Sequence, residues 1–142
     1  MTRFIFLSQE YMEEASRRTR NSAEYQQAAA GFDDTLVFVA EPESGKAVFA
    51  RKIGGIFLPD AHDYWIEPER PATFTFTAPY GNYVEVMTGG LDPLRAVMLG
   101  KLRLKGPMPK LLRYVKGTYE WIKVLRSIPT EFEGHYASRS FD

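Results

Sequence analysis

Residues 72–106, ATFTFTAPYGNYVEVMTGGLDPLRAVMLGKLRLKG, read as strand, helix, tight turn, helix and strand within a single short stretch. Thr73, Thr75 and Thr77 alternate with Phe74 and Phe76, the period of a strand with one face buried. Pro79 closes that strand. Tyr80, Tyr83, Val84 and Met87 then recur at helical spacing up to Thr88. Gly89-Gly90 stops this helix by admitting positive φ. Asp92 is an N-cap and Pro93 suits the first position of a second helix, in which Leu94, Val97 and Met98 are the expected inner stripe. Gly100 ends it, and Lys101, Arg103 and Lys105 alternating with Leu102 and Leu104 predict another half-buried strand as far as Gly106.

Downstream, the pattern predicts one long helix from Pro107, with both prolines in its first turn, where an N–H is dispensable. At 100° per residue, Leu111, Val115, Thr118, Ile122 and Leu125 share one face. Leu112 and Tyr119 lie on one shoulder of it, Tyr114 and Trp121 on the other. From Pro129 to the end an extended tail is expected. Upstream, Ser8 caps a helix whose inner stripe is Tyr11, Met12, Ala15 and Thr19. Asn21-Ser22 breaks and recaps it, the second segment running through Ala30 to a stop at Gly31. Thr35 to Ala40 is a strand covered on both faces, and Lys46 to Ile53 returns antiparallel to it across the turn at 41–45. Gly54-Gly55 predicts a bulge or bend. Pro59-Asp60 breaks the pattern, His62 to Ile66 is another short strand, and Glu67 to Pro71 is a loop. This order predicts an α+β fold, a single domain over 1–142 with one roughly five-stranded mixed sheet and helices over one face.

The segment MTGGLDPLRAVMLGKLRLKGPMPKLL resembles the signature of the sterol carrier protein-2 family. Met87-Thr88-Gly89, Asp92-Pro93, Ala96, Gly100-Lys101-Leu102 and Gly106 fall in register with it, and the similarity is specific over about residues 72 to 116. The resemblance implies the same α+β fold with a hydrophobic tunnel between sheet and helices, and a lipid carrier. Some eukaryotic members end in a peroxisomal Ser-Lys-Leu signal, which Ser140-Phe141-Asp142 does not match.

The composition is that of an ordinary soluble domain, 142 residues long and 44% hydrophobic, with aromatics at 14%. The lack of cysteine excludes disulfides, thiolate metal sites and cysteine nucleophiles. No apolar run suits a secretory signal or a bilayer span, so a cytoplasmic protein is expected. The formal net charge is zero, yet nine Lys or Arg lie between Asp92 and Arg126 against only Asp92 and Glu120. A basic half of this kind either keeps the chain solvated or attracts anionic headgroups and coenzyme A phosphates. No nucleic-acid motif accompanies it.

Catalytic signals are absent. His62, between acids in Asp60-Ala-His62-Asp63, and His135 are more simply solvated than catalytic or metal-binding, and Glu67, Glu69 and Glu85 form no recognisable pair. There is no nucleophile elbow, phosphate loop or dinucleotide fingerprint. Neither cofactor nor metal is expected. Met87, Met98 and Met108 fall on predicted inner faces beside Leu91, Leu94 and Leu112, where adaptable side chains suit varied apolar ligands. The residues alone fit ordinary core better than a ligand wall, and it is the resemblance that implies a tunnel wall. On that basis the ligand-binding residues are Phe74, Phe76, Val84, Met87, Leu91, Leu94, Met98, Met108, Leu111, Leu112, Val115 and Tyr119. The expected ligand is a fatty acid, a fatty acyl-CoA or a sterol-like lipid, with transient contact to an anionic membrane surface. The rival expectation is an accessory or dimerisation module of a larger enzyme or complex, its tunnel filled by side chains.

Overall fold

The computed structural model describes residues 3–32, 34–58, 61–64 and 71–139, excepting the side chains of 56–58 and 61–64. In chain order the elements are β1 (Phe4–Ile5), α1 (Gln9–Arg20), α2 (Ala23–Ala28), β2 (Leu36–Glu41), β3 (Lys52–Leu58), β4 (Ala61–Tyr64), β5 (Phe74–Pro79), α3 (Tyr80–Met87), α4 (Pro93–Met98), β6 (Arg103–Lys105), α5 (Met108–Leu112), α6 (Val115–Arg126) and β7 (Thr130–Glu131). The main sheet has five strands in the order β4-β3-β2-β5-β6. It is mixed: β2 and β5 run parallel, Phe38 opposite Phe76, and the other pairings are antiparallel.

The two faces of the central strand β2 go to different clusters. Leu36 and Ala40, with the half-buried Phe38, face the main core beneath the helices, together with Phe74, Phe76 and Ala78 of β5. Val37, Val39 and Ile53 form a separate small cluster on the opposite face. A strand buried on both sides has no solvent face to mark with polar residues, which accounts for the unbroken apolar run LVFVA.

Local chemistry sets the helix ends. The Ser8 and Ser22 hydroxyls accept from the Tyr11 and Tyr25 N–H groups, and the Asp92 carboxylate accepts from the Arg95 N–H. Gly31, Gly89 and Gly100 follow α2, α3 and α4 with positive φ. Pro79 offers no side-chain cap to α3. Instead Glu43, from the turn after β2, accepts the Gly81 N–H at 2.7 Å. At the other end of α3, Arg126 donates to the Val86 and Met87 carbonyls at 2.9 and 3.0 Å. Both ends of this helix are therefore held by side chains from distant elements.

Several expectations need correction. Gly54 and Gly55 pair in regular register with Phe38 and Val37, and the irregularity in β3 comes just after them, between Ile56 and Leu58 in the pairing with β4. A Cβ on Gly54 would lie 3.1 Å from the Met12 side chain, so the glycine makes room for α1 against the sheet. The return strand begins at Lys52 rather than Lys46, because Ser44–Lys46 form a 3₁₀ turn closed by the Glu43–Val48 bridge. α2 ends at Ala28, short of Ala30.

The long C-terminal helix is two helices. It breaks at Arg113-Tyr114, where the Tyr114 ring packs edge-on against Phe32 at 4.9 Å and its hydroxyl donates to the Gly31 carbonyl. Restarting the helix there brings Gly117 against α2, with its Cβ position 3.2 Å from the Ala29 Cβ. The expected tail is docked: β7 pairs with β1, Ile128 and Phe132 are buried, and the Glu133 N–H donates to the Tyr80 hydroxyl at 3.0 Å. The expected break at Pro59-Asp60, residues 65–66 of the expected strand, loop residues 67–70 and the end at 140–142 lie outside the described residues.

Candidate lipid-binding cavity

Between the sheet and the helices lies a cavity of about 130 Å³. Its floor is aromatic: Phe38 stacks on Phe76 across β2 and β5 at 5.4 Å, and the Trp121 indole of α6 stacks over Phe38 at 5.3 Å. α1 contributes Tyr11 and Met12, the chain before it Phe6 and Leu7, and α3 contributes Tyr83, Val86 and Met87. Pro93, Leu94 and Val97 of α4 face Val115, Thr118, Tyr119, Ile122 and Leu125 of α6, and Leu111 comes from α5. Among the described residues, none that lines it carries a charge.

Most polar atoms of the wall are engaged within the protein. The Trp121 N–H donates to the Thr19 hydroxyl at 3.2 Å, which itself donates to the Ala15 carbonyl. The Tyr83 hydroxyl donates to the Phe76 carbonyl at 3.0 Å and the Thr118 hydroxyl to the Tyr114 carbonyl. Tyr119 donates to the Asp92 carboxylate at 2.7 Å, closing α4 onto α6. Burial pushes the Tyr11 and Tyr83 hydroxyls far above the ordinary tyrosine range, so both stay neutral. The cavity therefore offers apolar surface, aromatic faces and neutral hydroxyls.

Six of the sequence-derived residues are brought together in this wall: Phe76, Met87, Leu94, Leu111, Val115 and Tyr119. Phe74 and Val84 are fully buried behind it, and Leu91 and Met108 pack half-buried against the core. Met98 and Leu112 turn outward, 75% and 48% exposed. Met98 is thus not on the inner stripe of α4, whose buried residue is Ala96. In a helix of six residues the inner face is set by the turns at either end more than by periodicity. Leu112 is the last residue of α5, and the break that follows it shifts the phase of the shoulder expected to hold it.

Sequence reasoning left out the N-terminal contribution to the site. Tyr11 and Met12 were legible as an inner stripe, but nothing tied that stripe to the signature segment. Phe38 and Trp121 stood in the apolar run and on the helix shoulder, with no local sign that they would stack. His135 lies exposed in the Gly134–Tyr136 turn, and the His62 side chain is outside what is described. Glu85 is paired with Arg139 at 2.7 Å. Among the described residues no group of His, Cys, Asp or Glu could hold a metal ion, and no helix is long and apolar enough to cross a membrane.

The model of the SCP-2 sterol transfer family matches residues 12–116. No curated protein matches the sequence. Among solved structures, a crystal structure of sterol carrier protein 2 is 25% identical, with a TM-score of 0.76 over 87% of this chain and 98% of that one. A solution structure of a Thermus thermophilus protein is 24% identical, with a TM-score of 0.78 over 91% of this chain and 94% of that one. A solution structure of the sterol carrier protein domain 2 of Helicoverpa armigera is 17% identical, with a TM-score of 0.57 over 82% of this chain and 86% of that one. With a family match running from Met12 in the cavity wall to the first turn of α6, and an α+β fold shared with sterol carrier protein 2, the chain belongs to the SCP-2 sterol transfer family.

Proposed function

We propose that the protein is a non-catalytic carrier that shields the apolar body of a lipid (a fatty acyl chain, the acyl part of a coenzyme A ester or a sterol-like ring system) in the cavity beneath α6. The observation that carries this is the cavity itself, apolar in its lining and left open inside a fold of the SCP-2 family. Binding draws on the apolar surface removed from water, about 0.8 kcal/mol per methylene. Roughly ten methylenes supply about 8 kcal/mol gross, a micromolar affinity before ordering costs. At about 130 Å³ the cavity is comparable with an engineered cavity that holds a benzene ring. A longer ligand therefore needs the walls to spread, and α4 is the element we propose to move. It is short, follows Gly89-Gly90, precedes the open Gly100 and is tied to α6 through the Asp92–Tyr119 bond.

The absence of catalysis in this reading rests on the same wall. Its ionisable groups are tyrosines, and the buried ones are held neutral, which leaves no acid–base pair or activated nucleophile there. The exposed bases Arg95 and Lys101 flank the exposed Met98 and Leu99 along the chain, an arrangement that suits transient contact with an anionic membrane or with the phosphates of a coenzyme A ester. Such contact should make lipid transfer to anionic vesicles fall as salt rises. The direct test is titration of delipidated protein with a fluorescent fatty acid, alongside mass spectrometry of lipid released from the purified, denatured protein. Saturation near one per chain supports the carrier. No binding up to high micromolar concentration, with no copurifying lipid, would leave an accessory or dimerisation module as the better reading.

A further inference from the structure

Tyr11 holds the one side-chain hydroxyl of the described cavity lining that is fully buried and has no hydrogen-bond partner. The residue is 1% exposed, its ring is fixed edge-on against Phe6 at 5.3 Å, and it lines the cavity. The neighbouring Tyr80 hydroxyl accepts the Glu133 N–H and makes no hydrogen bond with Tyr11. An unpaired buried hydroxyl costs a folded protein free energy unless something completes it. Among the described residues, the surrounding wall carries no charge that would neutralise an ion beside it.

We propose that Tyr11 is a ligand-polar-group subsite: its O–H donates to a neutral oxygen acceptor (hydroxyl, ether or ester carbonyl) on the bound lipid. This rests on the carrier reading and narrows it. A donor in an uncharged wall rewards a neutral oxygen. It does not repay the desolvation of a carboxylate, which needs a buried cation or several donors. The ligand class so assigned is a lipid with a neutral oxygen on its buried part, in preference to one that must bring an ionised head inside. An acyl chain whose charged group stays in solvent can still bind, but gains nothing from Tyr11.

The experiment uses the delipidated full chain and its Tyr11→Phe variant, with affinities for dodecane, 1-dodecanol, dodecyl methyl ether and dodecanoate measured by displacement of a fluorescent apolar probe. Dodecane should bind both proteins alike. The affinity of dodecanol relative to dodecane should fall roughly 3- to 10-fold in Tyr11→Phe, the worth of one neutral hydrogen bond. The ether, which only accepts, should show the same fall, and dodecanoate should show none. Apo Tyr11→Phe should melt at or above the wild-type temperature, because an unpaired polar atom has been removed. If dodecane binds both proteins and the alcohol ratio does not change, the subsite is wrong and the carrier stands. Dodecanoate falling equally would overturn the neutral class. A lower melting temperature for the apo variant would show that the hydroxyl serves the fold, and would also overturn the proposal. If wild type binds none of the four, the carrier reading and this inference fail together.

Discussion

Tyr119 donates its hydroxyl hydrogen to Asp92 at 2.7 Å, and Asp92 is at once the N-cap of α4 and the acceptor that joins α4 to α6 across the cavity. The Arg95 N–H, followed by Tyr119, holds the Asp92 carboxyl below its ordinary value of 3.8. The same bond raises the Tyr119 hydroxyl above 10.0. A depressed carboxyl contributes stability above its unfolded value and loses it as pH falls through the folded one. A raised hydroxyl contributes below its unfolded value and loses it as pH rises through the folded one. The link is therefore intact across the neutral range and is lost only as pH falls through the depressed Asp92 value, below 3.8, or rises through the raised Tyr119 value, above 10.0.

Tyr119→Phe keeps the ring in the wall and removes only the bond. The expected cost is about 0.5–1.5 kcal/mol, a fall of a few degrees in melting temperature. Release of a bound lipid at pH 7 should become faster, because α4 is no longer tied to α6. Asp92→Ala also removes the helix cap, about 1 kcal/mol more. Stopped-flow release of a fluorescent fatty acid checks both variants, and unchanged release in Tyr119→Phe would mean that α4 is not the moving wall.

The docked C-terminal segment yields a stability prediction. Phe132 is 1% exposed and packs on Phe6 at 5.4 Å, while Lys52 pairs with Glu133 at 2.7 Å. Phe132→Ala should destabilise the protein by about 3–5 kcal/mol. Lys52→Met breaks a partly buried ion pair, its side chains 15% and 30% exposed, and should cost about 1–2 kcal/mol, less than loss of the ring. Urea denaturation followed by tryptophan fluorescence separates the two. Comparable losses from both would mean that the ion pair, rather than ring burial, fastens the segment.

Gly117 allows α6 to approach α2. Alanine is favoured over glycine inside a helix by about 1 kcal/mol, yet here its Cβ would sit 3.2 Å from the Ala29 Cβ and 3.4 Å from the Ala29 Cα. The gain and the clash oppose each other for alanine. For Gly117→Val the added methyls leave no room, and a loss of about 1–3 kcal/mol is expected. A thermal melt checks it, and a neutral outcome would require the two helices to separate at little cost.

What could be read from the sequence was chemistry confined to neighbouring residues. Ser8, Ser22 and Asp92 cap helices because a short side chain reaches an N–H three residues on. Gly89 and Gly100 end helices through their own backbone freedom. Phe74, Phe76 and Ala78 alternate because strand geometry demands it. The unread features all depend on distant partners. Phe4-Ile5 becomes a strand only by meeting Thr130-Glu131. The break at Arg113-Tyr114 involves no proline or glycine and is accompanied by contacts with Phe32 and Gly31. Cavity and core look alike from within the chain: Phe76 lines open space and Phe74, two residues earlier on the same face, does not. Which inward side chain meets another and which meets a void is decided across the fold.

Val115 allows that difference to be tested. It is half-buried, lines the cavity, and faces the side to which α4 brings Pro93, Leu94 and Val97. In a filled core Val115→Trp would force its neighbours aside at about 1–3 kcal/mol. With a cavity of about 130 Å³ in front of it, the indole has space to enter and buries apolar surface of its own. Delipidated Val115→Trp should therefore melt at or above the wild-type temperature, while affinity for a fluorescent fatty acid falls sharply because its space is taken. Marked destabilisation of the apo variant, with binding unaltered in the folded fraction, would place Val115 in ordinary core and move the ligand elsewhere along the cavity.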